Sequence, residues 1–364
     1  MVRKRIARAA LAGALALGIA ACGADVEPAG GGGSGGGGGT EEGTLTISNW
    51  DKYMPEDLVP AFEKETGIKV KLAKHTTNED VMGKLEAANG TGFDLVFVSG
   101  PFVESLAKRG WAAKVDSAKV PNLKNLYPEA AKLAYDPGNR SSVPYTWGTT
   151  GLCYRSDKVK GDPDSWDALL KPAAEVEGKT TMLATDRWLL LPALKSLGYS
   201  ANTKDQAQLD EARDVLLKTK ETLLAYDDTT FYSKLVSGEA LLVEAWDGWC
   251  NYGIAENEDI RFSVPEEGSD VFTDAMVVLE SSQNKDAAMK FIDFVLRPET
   301  GKAVTELVLY KTPNEKAMDA LEPALVKQYP NLGITPSELL EHEVLRDLGA
   351  AQPSWSRIVS EITS

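Results

Sequence analysis

The 364 residues carry 39 Lys and Arg against 54 Asp and Glu, a formal charge of −15 at neutral pH. That balance works against nucleic acid and anionic lipid surfaces as partners and raises the local concentration of cations. Two His, His75 and His342, and three Cys leave no donor set at metal-ligand spacing, and no cofactor is expected.

Arg3, Lys4, Arg5 and Arg8 precede an apolar run from Ala9 to Ala21 that ends Ile19-Ala20-Ala21-Cys22. A basic start, a short apolar core and small residues predict a secretory signal over 1–21 rather than a membrane span. A Cys directly after the small residues resembles the bacterial lipobox, which makes Cys22 the expected lipidated first residue of the mature chain. Gly30 to Gly39, interrupted only by Ser34, cannot bury a core and reads as a flexible tether within 22–43. The expected place is the outer face of the cytoplasmic membrane, held there by the lipid, on the periplasmic side if an outer membrane exists. Cys153 and Cys250 are the remaining thiols, and in an oxidising compartment a disulfide between them is possible.

From Thr44 the chain alternates strand and helix patterns. Thr44–Ser48 and Ile68–Leu72 read as strands around a helix from Leu58 to Glu65 that Gly67 stops. Asn78 is the expected cap of a helix that runs to Gly90, Phe93–Val98 is an apolar strand, and Phe102–Arg109 is helical. This order predicts a parallel α/β sheet with its ligand at the carboxyl ends of the strands. Those ends carry Trp50-Asp51-Lys52-Tyr53, Lys74-His75-Thr76-Thr77 and Ser99-Gly100-Pro101. Val143–Tyr154 reads as an extended segment leaving a first lobe, after which Ser165 caps a short helix and the alternation restarts. Lys179–Ala184 is strand-like and ends in Asp186-Arg187-Trp188. Helices follow to Gly198 and over Asp205–Lys220, and Ser233–Gly238 leads into the stretch at Leu241. Val271–Leu279 is a strand in which Phe272 and Asp274 share a face. Helices over Lys285–Leu296 and Thr300–Leu309 lead to the loop at Tyr310.

The stretch Leu241–Asn251 carries the functional argument. It starts as a buried-strand pattern and then delivers Glu244, Trp246, Asp247 and Trp249. Aromatic faces attract an organic cation and carboxylates pair with its N–H donors, so acid–aromatic loops at strand ends suit a cationic ligand. No Walker sequence, nucleophile elbow or dinucleotide fingerprint occurs in the body, and the paired acids come without a nucleophile. The expectation is a binding protein and not an enzyme. An anchored amine-processing enzyme, or the same fold with a sugar or amino compound, are the alternatives.

Several motifs in one order resemble the polyamine-binding proteins, the extracytoplasmic receptors of spermidine/putrescine ABC transporters. They are Asn49-Trp50-x-x-Tyr53-x-Pro55, Glu65–Val70, Phe93–Val96, Pro144-Tyr-x-Trp147-Gly, Leu197–Ser200, Leu296-Arg-Pro298 and Tyr310-x-Thr-Pro-Asn314. The resemblance implies a type II periplasmic-binding-protein-like α/β fold, with two lobes, two hinge strands and a ligand cleft between the lobes. Lobe 1 is expected over 44–149 plus 273–318 and lobe 2 over 150–272 plus 319–364. It also implies a monomer that hands a small cation to a membrane ABC permease. Trp50, Tyr53, Ser99, Trp246, Phe272, Asp274 and Tyr310 match ligand-contact positions, with Asp274 as amine partner. Asp51, Asp186, Trp188, Asp247 and Trp249 complete the expected set. Lys52 stands where the family commonly has an acid, Trp188 where it has another, and Leu345 where it has a polar contact. These departures predict putrescine ahead of spermidine, with Lys52 pointing inward to disable a third amine position. The bland alternative has Lys52 in solvent and Asp51 turned in.

Overall fold

A computed structural model describes residues 43–364; the signal segment, Cys22 and the tether up to residue 42 lie outside the described residues. Among the described residues eleven strands form two sheets. The first contains β1 (Thr44–Trp50), β2 (Lys69–His75), β3 (Leu95–Ser99) and β4 (Val143–Gly148). The second contains β5 (Thr150–Arg155), β6 (Thr180–Met182), β7 (Ala225–Tyr226), β8 (Leu242–Trp246) and β9 (Ile260–Ser263). The chain returns to the first sheet through β10 (Asp270–Val278) and β11 (Glu343–Val344).

In the first sheet the order is β11-β10-β3-β1-β2, with β4 also paired to β10. Its strands β1, β2 and β3 are parallel, while β10 runs antiparallel to β3 and β4. Every residue of β3 is buried, as expected of a strand covered on both faces, whereas the Lys-rich β2 is exposed at the edge. In the second sheet, ordered β7-β6-β8-β5-β9, strands β7, β6 and β8 are parallel and β5 opposes both its neighbours. Both sheets are therefore mixed rather than parallel throughout. The strands β7, β9 and β11 have two to four residues and were not expected.

Each sheet carries its own core. Leu45, Phe62, Phe97, Met276 and Phe291 belong to the first; Leu152, Trp166, Leu190, Leu216 and Trp355 to the second. A satellite cluster around Phe231, Val243 and Leu332 covers the other face of the second sheet. Two strands link the lobes: β4 passes into β5 through Thr149 alone, and β10 starts beside that crossing. There the Thr149 hydroxyl donates to the Asp270 carbonyl at 2.7 Å and the Thr150 N–H to the Asp270 carboxylate at 3.0 Å. The stretch 319–364, expected wholly in lobe 2, is shared. Leu332 packs with the satellite cluster, Leu339 with the first core and Leu345 with the second. Cys153 and Cys250 form a disulfide that ties β5 to the helix Asp247–Glu256.

A second connection joins the two cores away from the hinge. Arg346 grips Glu104 of the helix Gly100–Lys108 with two bonds of 2.8 and 2.9 Å, and Lys108 reaches Asp347 at 2.9 Å. Burial alone would raise the Glu104 carboxyl, but Arg346, the Asp347 N–H and Lys108 hold it down at about 2.

Candidate functional site

The first wall of the site is built around Asp274. A β-bulge interrupts the pairing of β10 with β4 between Asp274 and Ala275, and such a bulge re-aims the side chain beside it. The carboxylate accepts the Ser99 hydroxyl on Oδ1 and the Tyr53 hydroxyl on Oδ2, each at 2.7 Å. Thr146 lies 2.8 Å from the Tyr53 hydroxyl, and Asn78 fixes Ser99 through its N–H and its hydroxyl, at 2.9 and 3.0 Å. Burial pushes the Asp274 carboxyl up, and hydrogen bonds from Ser99, Tyr53 and Thr146 oppose it. No Lys or Arg among the described residues pairs with it. Above it runs a train of edge-to-face rings. Centroids are 5.5 Å apart for Trp50–Tyr53, 6.4 Å for Tyr53–Tyr310 and 5.6 Å for Tyr310–Phe272.

The second wall comes from the other lobe. Trp246 ends β8, and Trp188 rises from the helix Asp186–Ser196 to meet it edge-on at 5.3 Å. The Trp188 indole N–H donates to Asp270 at 3.0 Å. Both indoles also pack against the first core, so side chains of both lobes converge here. Close backbone approach makes this possible. A Cβ on Gly248 would sit 2.5 Å from the Tyr310 ring, and one on Gly148 would meet Phe272 at 2.5 Å. Neither position has room for a side chain.

Comparisons with known proteins agree with this architecture. Residues 57–334 match the model of a family described as bacterial extracellular solute-binding protein. The chain belongs to that family. Among curated relatives, the spermidine/putrescine-binding periplasmic protein of Escherichia coli is 34% identical over 360 residues, 96% of each chain. The putrescine-binding periplasmic protein PotF of the same species is 35% identical over 310 residues, 80% of this chain and 83% of that one. Among solved structures, a putative spermidine/putrescine ABC transporter protein from Listeria monocytogenes superposes with a TM-score of 0.79 at 32% identity. That match covers 88% of this chain and 98% of the other.

Within this solute-binding protein, Trp50, Tyr53, Ser99, Trp188, Trp246, Phe272, Asp274 and Tyr310 come together. Four other expected residues have other side-chain partners. Asp51 faces outward and pairs with Lys74, because the edge strand β2 presents that lysine beside it. Asp186 begins its helix and accepts from Ser356 and Gln352, at 2.5 and 3.0 Å, on the C-terminal helix Gln352–Thr363. Asp247 is buried in an ion pair with Lys311, Nζ to Oδ2 2.6 Å. Trp249 packs mainly in an aromatic cluster, its centroid 5.8 Å from each of Phe231, Tyr232 and Tyr252. Lys52 is exposed, with φ 56, and is not among the groups that act on Asp274. Its inward orientation is thus not what the fold adopts, and Asp51 does not turn in to replace it. Asn78, Thr146 and Lys311 were missed as supports of the site. Asn78 is expected to cap its helix, yet the cap is Thr77, which accepts the Asp80 N–H at 3.1 Å and leaves Asn78 to hold Ser99.

Under Trp50 lies His75, 4.7 Å between ring centroids, with Nδ1 2.8 Å from the Ser48 hydroxyl. Burial lowers its pKa from 6.5 to about 4. A depressed folded value means that stability present above pH 6.5 is lost as pH falls through about 4, by up to about 3 kcal/mol. The expected result is a urea midpoint that drops between pH 7 and pH 4 more steeply in the native protein than in His75→Gln. Parallel pH profiles would assign the acid sensitivity elsewhere.

Proposed function

We propose that this chain is the extracytoplasmic receptor of an ABC importer and captures a polyamine-like cation, putrescine ahead of spermidine, by closing its lobes. Asp274 carries the reading. It is a carboxylate held by hydroxyl donors, free of any Lys or Arg partner among the described residues, under a train of ring faces. An ammonium entering there meets a preset negative group and cation–π surfaces, and its methylenes meet the rings. The polyamine-binding relatives support the ligand class. The preference for a diamine is supported by the commitments of Asp51, Asp186 and Asp247, which leave fewer acids for a third ammonium. The curated relatives compared above are binding proteins by name, and the reading includes no catalytic step.

Titration with putrescine and spermidine, followed by Trp fluorescence, tests this. Putrescine is expected to saturate at lower concentration. Asp274→Asn is expected to weaken it by at least about 2 kcal/mol, roughly thirtyfold. Silence toward every cation tried ends the polyamine reading; tighter spermidine binding reverses the preference.

The bodies that close are, in this proposal, 44–149 with 273–318 and 150–272 with 319–364, the stretch around Leu339 riding with the first. The protein acts as a monomer and delivers its ligand to a membrane permease, tethered through a lipid on Cys22. Cys22→Ala is expected to move it from the membrane to the soluble fraction; full retention on the membrane would overturn the anchor.

A further inference from the structure

The helix Gly100–Lys108 joins the ligand wall to the other lobe. It starts directly after Ser99, whose hydroxyl holds Asp274, and its Glu104 and Lys108 lie one turn apart on the same face. Val103 and Leu106 are wholly buried in the first core, so the helix moves with the first lobe. Arg346 and Asp347 belong to the other body. Leu345 and Leu348, on either side of them, are buried in the second core. The Arg346 N–H donates to the Asn202 side chain at 2.8 Å, its carbonyl accepts Arg187 at 2.6 Å, and the Asp347 carbonyl accepts Lys204 at 3.3 Å. The strand β11 just before them pairs with Asp270 and Val271, which the proposed division places in lobe 2.

Between these bodies four charged groups close on one another. Arg346 reaches Glu104 through Nε at 2.8 Å and Nη2 at 2.9 Å, a fork on a carboxylate that is stronger and more directional than a single contact. The Asp347 N–H adds a third donor to Glu104 at 3.0 Å. Lys108 spans the pair, 3.0 Å from Glu104 and 2.9 Å from Asp347. Isolated exposed ion pairs contribute little, but bidentate geometry and a network are the conditions under which they count. Both conditions hold here, and the Glu104 side chain is only 12% exposed. Burial raises the Glu104 carboxyl, yet its three partners outweigh that and hold it at about 2. It is therefore ionised around neutral pH, and the contact responds to salt rather than to pH.

We propose that this four-residue contact is a latch that holds the lobes closed and slows release of the bound cation. The inference rests on lobe closure in the proposed function and adds the residues that govern how long the closed form lasts. Arg346 and Asp347 are fixed to one body, Glu104 and Lys108 to the other, so rotation that parts the lobes must pull the pairs apart. Opening then costs the bonds of the latch as well as the contacts of the ligand. The groups that act on Asp274 are Ser99, Tyr53 and Thr146, none of them in the latch. The latch therefore acts on dwell time and population rather than on recognition. Ligand and latch favour the same closed state, so each raises the population on which the other acts. Glu104 and Arg346 are accordingly positioning residues.

The test uses the full mature protein. Stopped-flow Trp fluorescence with putrescine reads release, and small-angle X-ray scattering of the ligand-free protein reads lobe separation. Glu104→Gln and Arg346→Gln are each expected to speed putrescine release about three- to tenfold with association little changed, and to expand the ligand-free protein. The double variant should match the single ones rather than multiply them, because the same contact is lost in all three. The ratio of variant to wild-type release should fall toward one as NaCl is raised to about 0.5 M, since salt screens the latch in the wild type. Lys108→Gln, on an exposed side chain, should act in the same direction and serves if Glu104→Gln does not fold. Release rates that are unchanged, or that multiply in the double variant, overturn the latch and leave the polyamine reading standing. A wild type silent toward putrescine ends the polyamine reading; the latch then stands or falls on whether the variants expand the ligand-free protein.

Discussion

Unfolding of the Cys153→Ala/Cys250→Ala double variant is expected at much lower urea, with a stability loss of about 4–5 kcal/mol. The bridge closes a loop of 97 residues of sequence separation. The chain-entropy account gives about 4.7 kcal/mol for a loop near that length. Both sulfurs are fully buried, Cys153 in the middle of β5 between Val243 and Phe262, Cys250 on the helix that follows Trp246. The bridge thus fastens the helix carrying Asp247 and Gly248 to the central strands of the second sheet. Reduction of the native protein should give the same midpoint as the double variant. A loss below about 1 kcal/mol in both would mean that packing around β5 alone sets the position of this helix.

The acid–aromatic wall was legible because its residues obey local rules. Phe272 and Asp274 share a face through the two-residue period of a strand, and Trp50, Ser99 and Trp246 stand where apolar strand patterns end. The two cores follow from the same alternation, read twice along the chain. The fate of the acids was not legible. A carboxylate at a strand end looks alike whether its partner is a ligand or a distant side chain. Asp247 finds Lys311 64 residues away and Asp186 finds Ser356 170 away, separations that no local pattern reports. Glu244 shows the same limit inside a strand. In sequence it is one acid in an apolar strand, and only the sheet order brings Asp228 and Asp270 beside it. The short strands β7, β9 and β11 were invisible for a related reason. Two to four residues carry too little periodicity, and their pairing is dictated by neighbours far along the chain.

The ion pair that claims Asp247 leads to the other large effect. Lys311 and Asp247 are 3% and 2% exposed, and the Lys311 ammonium also donates to the Asn331 carbonyl at 3.0 Å. Asn331 in turn donates to the Asp247 carbonyl and to the Asn251 side chain, each at 2.9 Å. Lys311 follows Tyr310 and bonds through its carbonyl to the Trp147 N–H beside the hinge, while Asp247 begins the helix after Trp246. The pair therefore links the hinge to the second lobe within the interior. Burial raises the Asp247 carboxyl and Lys311 pulls it back down. Asp247→Asn leaves a buried ammonium without its counter-charge and is expected to cost about 3–5 kcal/mol. Replacing both partners, Asp247→Asn with Lys311→Met, removes the stranded charge and should recover most of that loss, which a double-mutant cycle measures directly. The double variant is expected to bind putrescine still, because the proposal assigns the Asp247 carboxylate to Lys311 and not to the ligand. Loss of putrescine binding in a double variant of restored stability would return Asp247 to the ligand site.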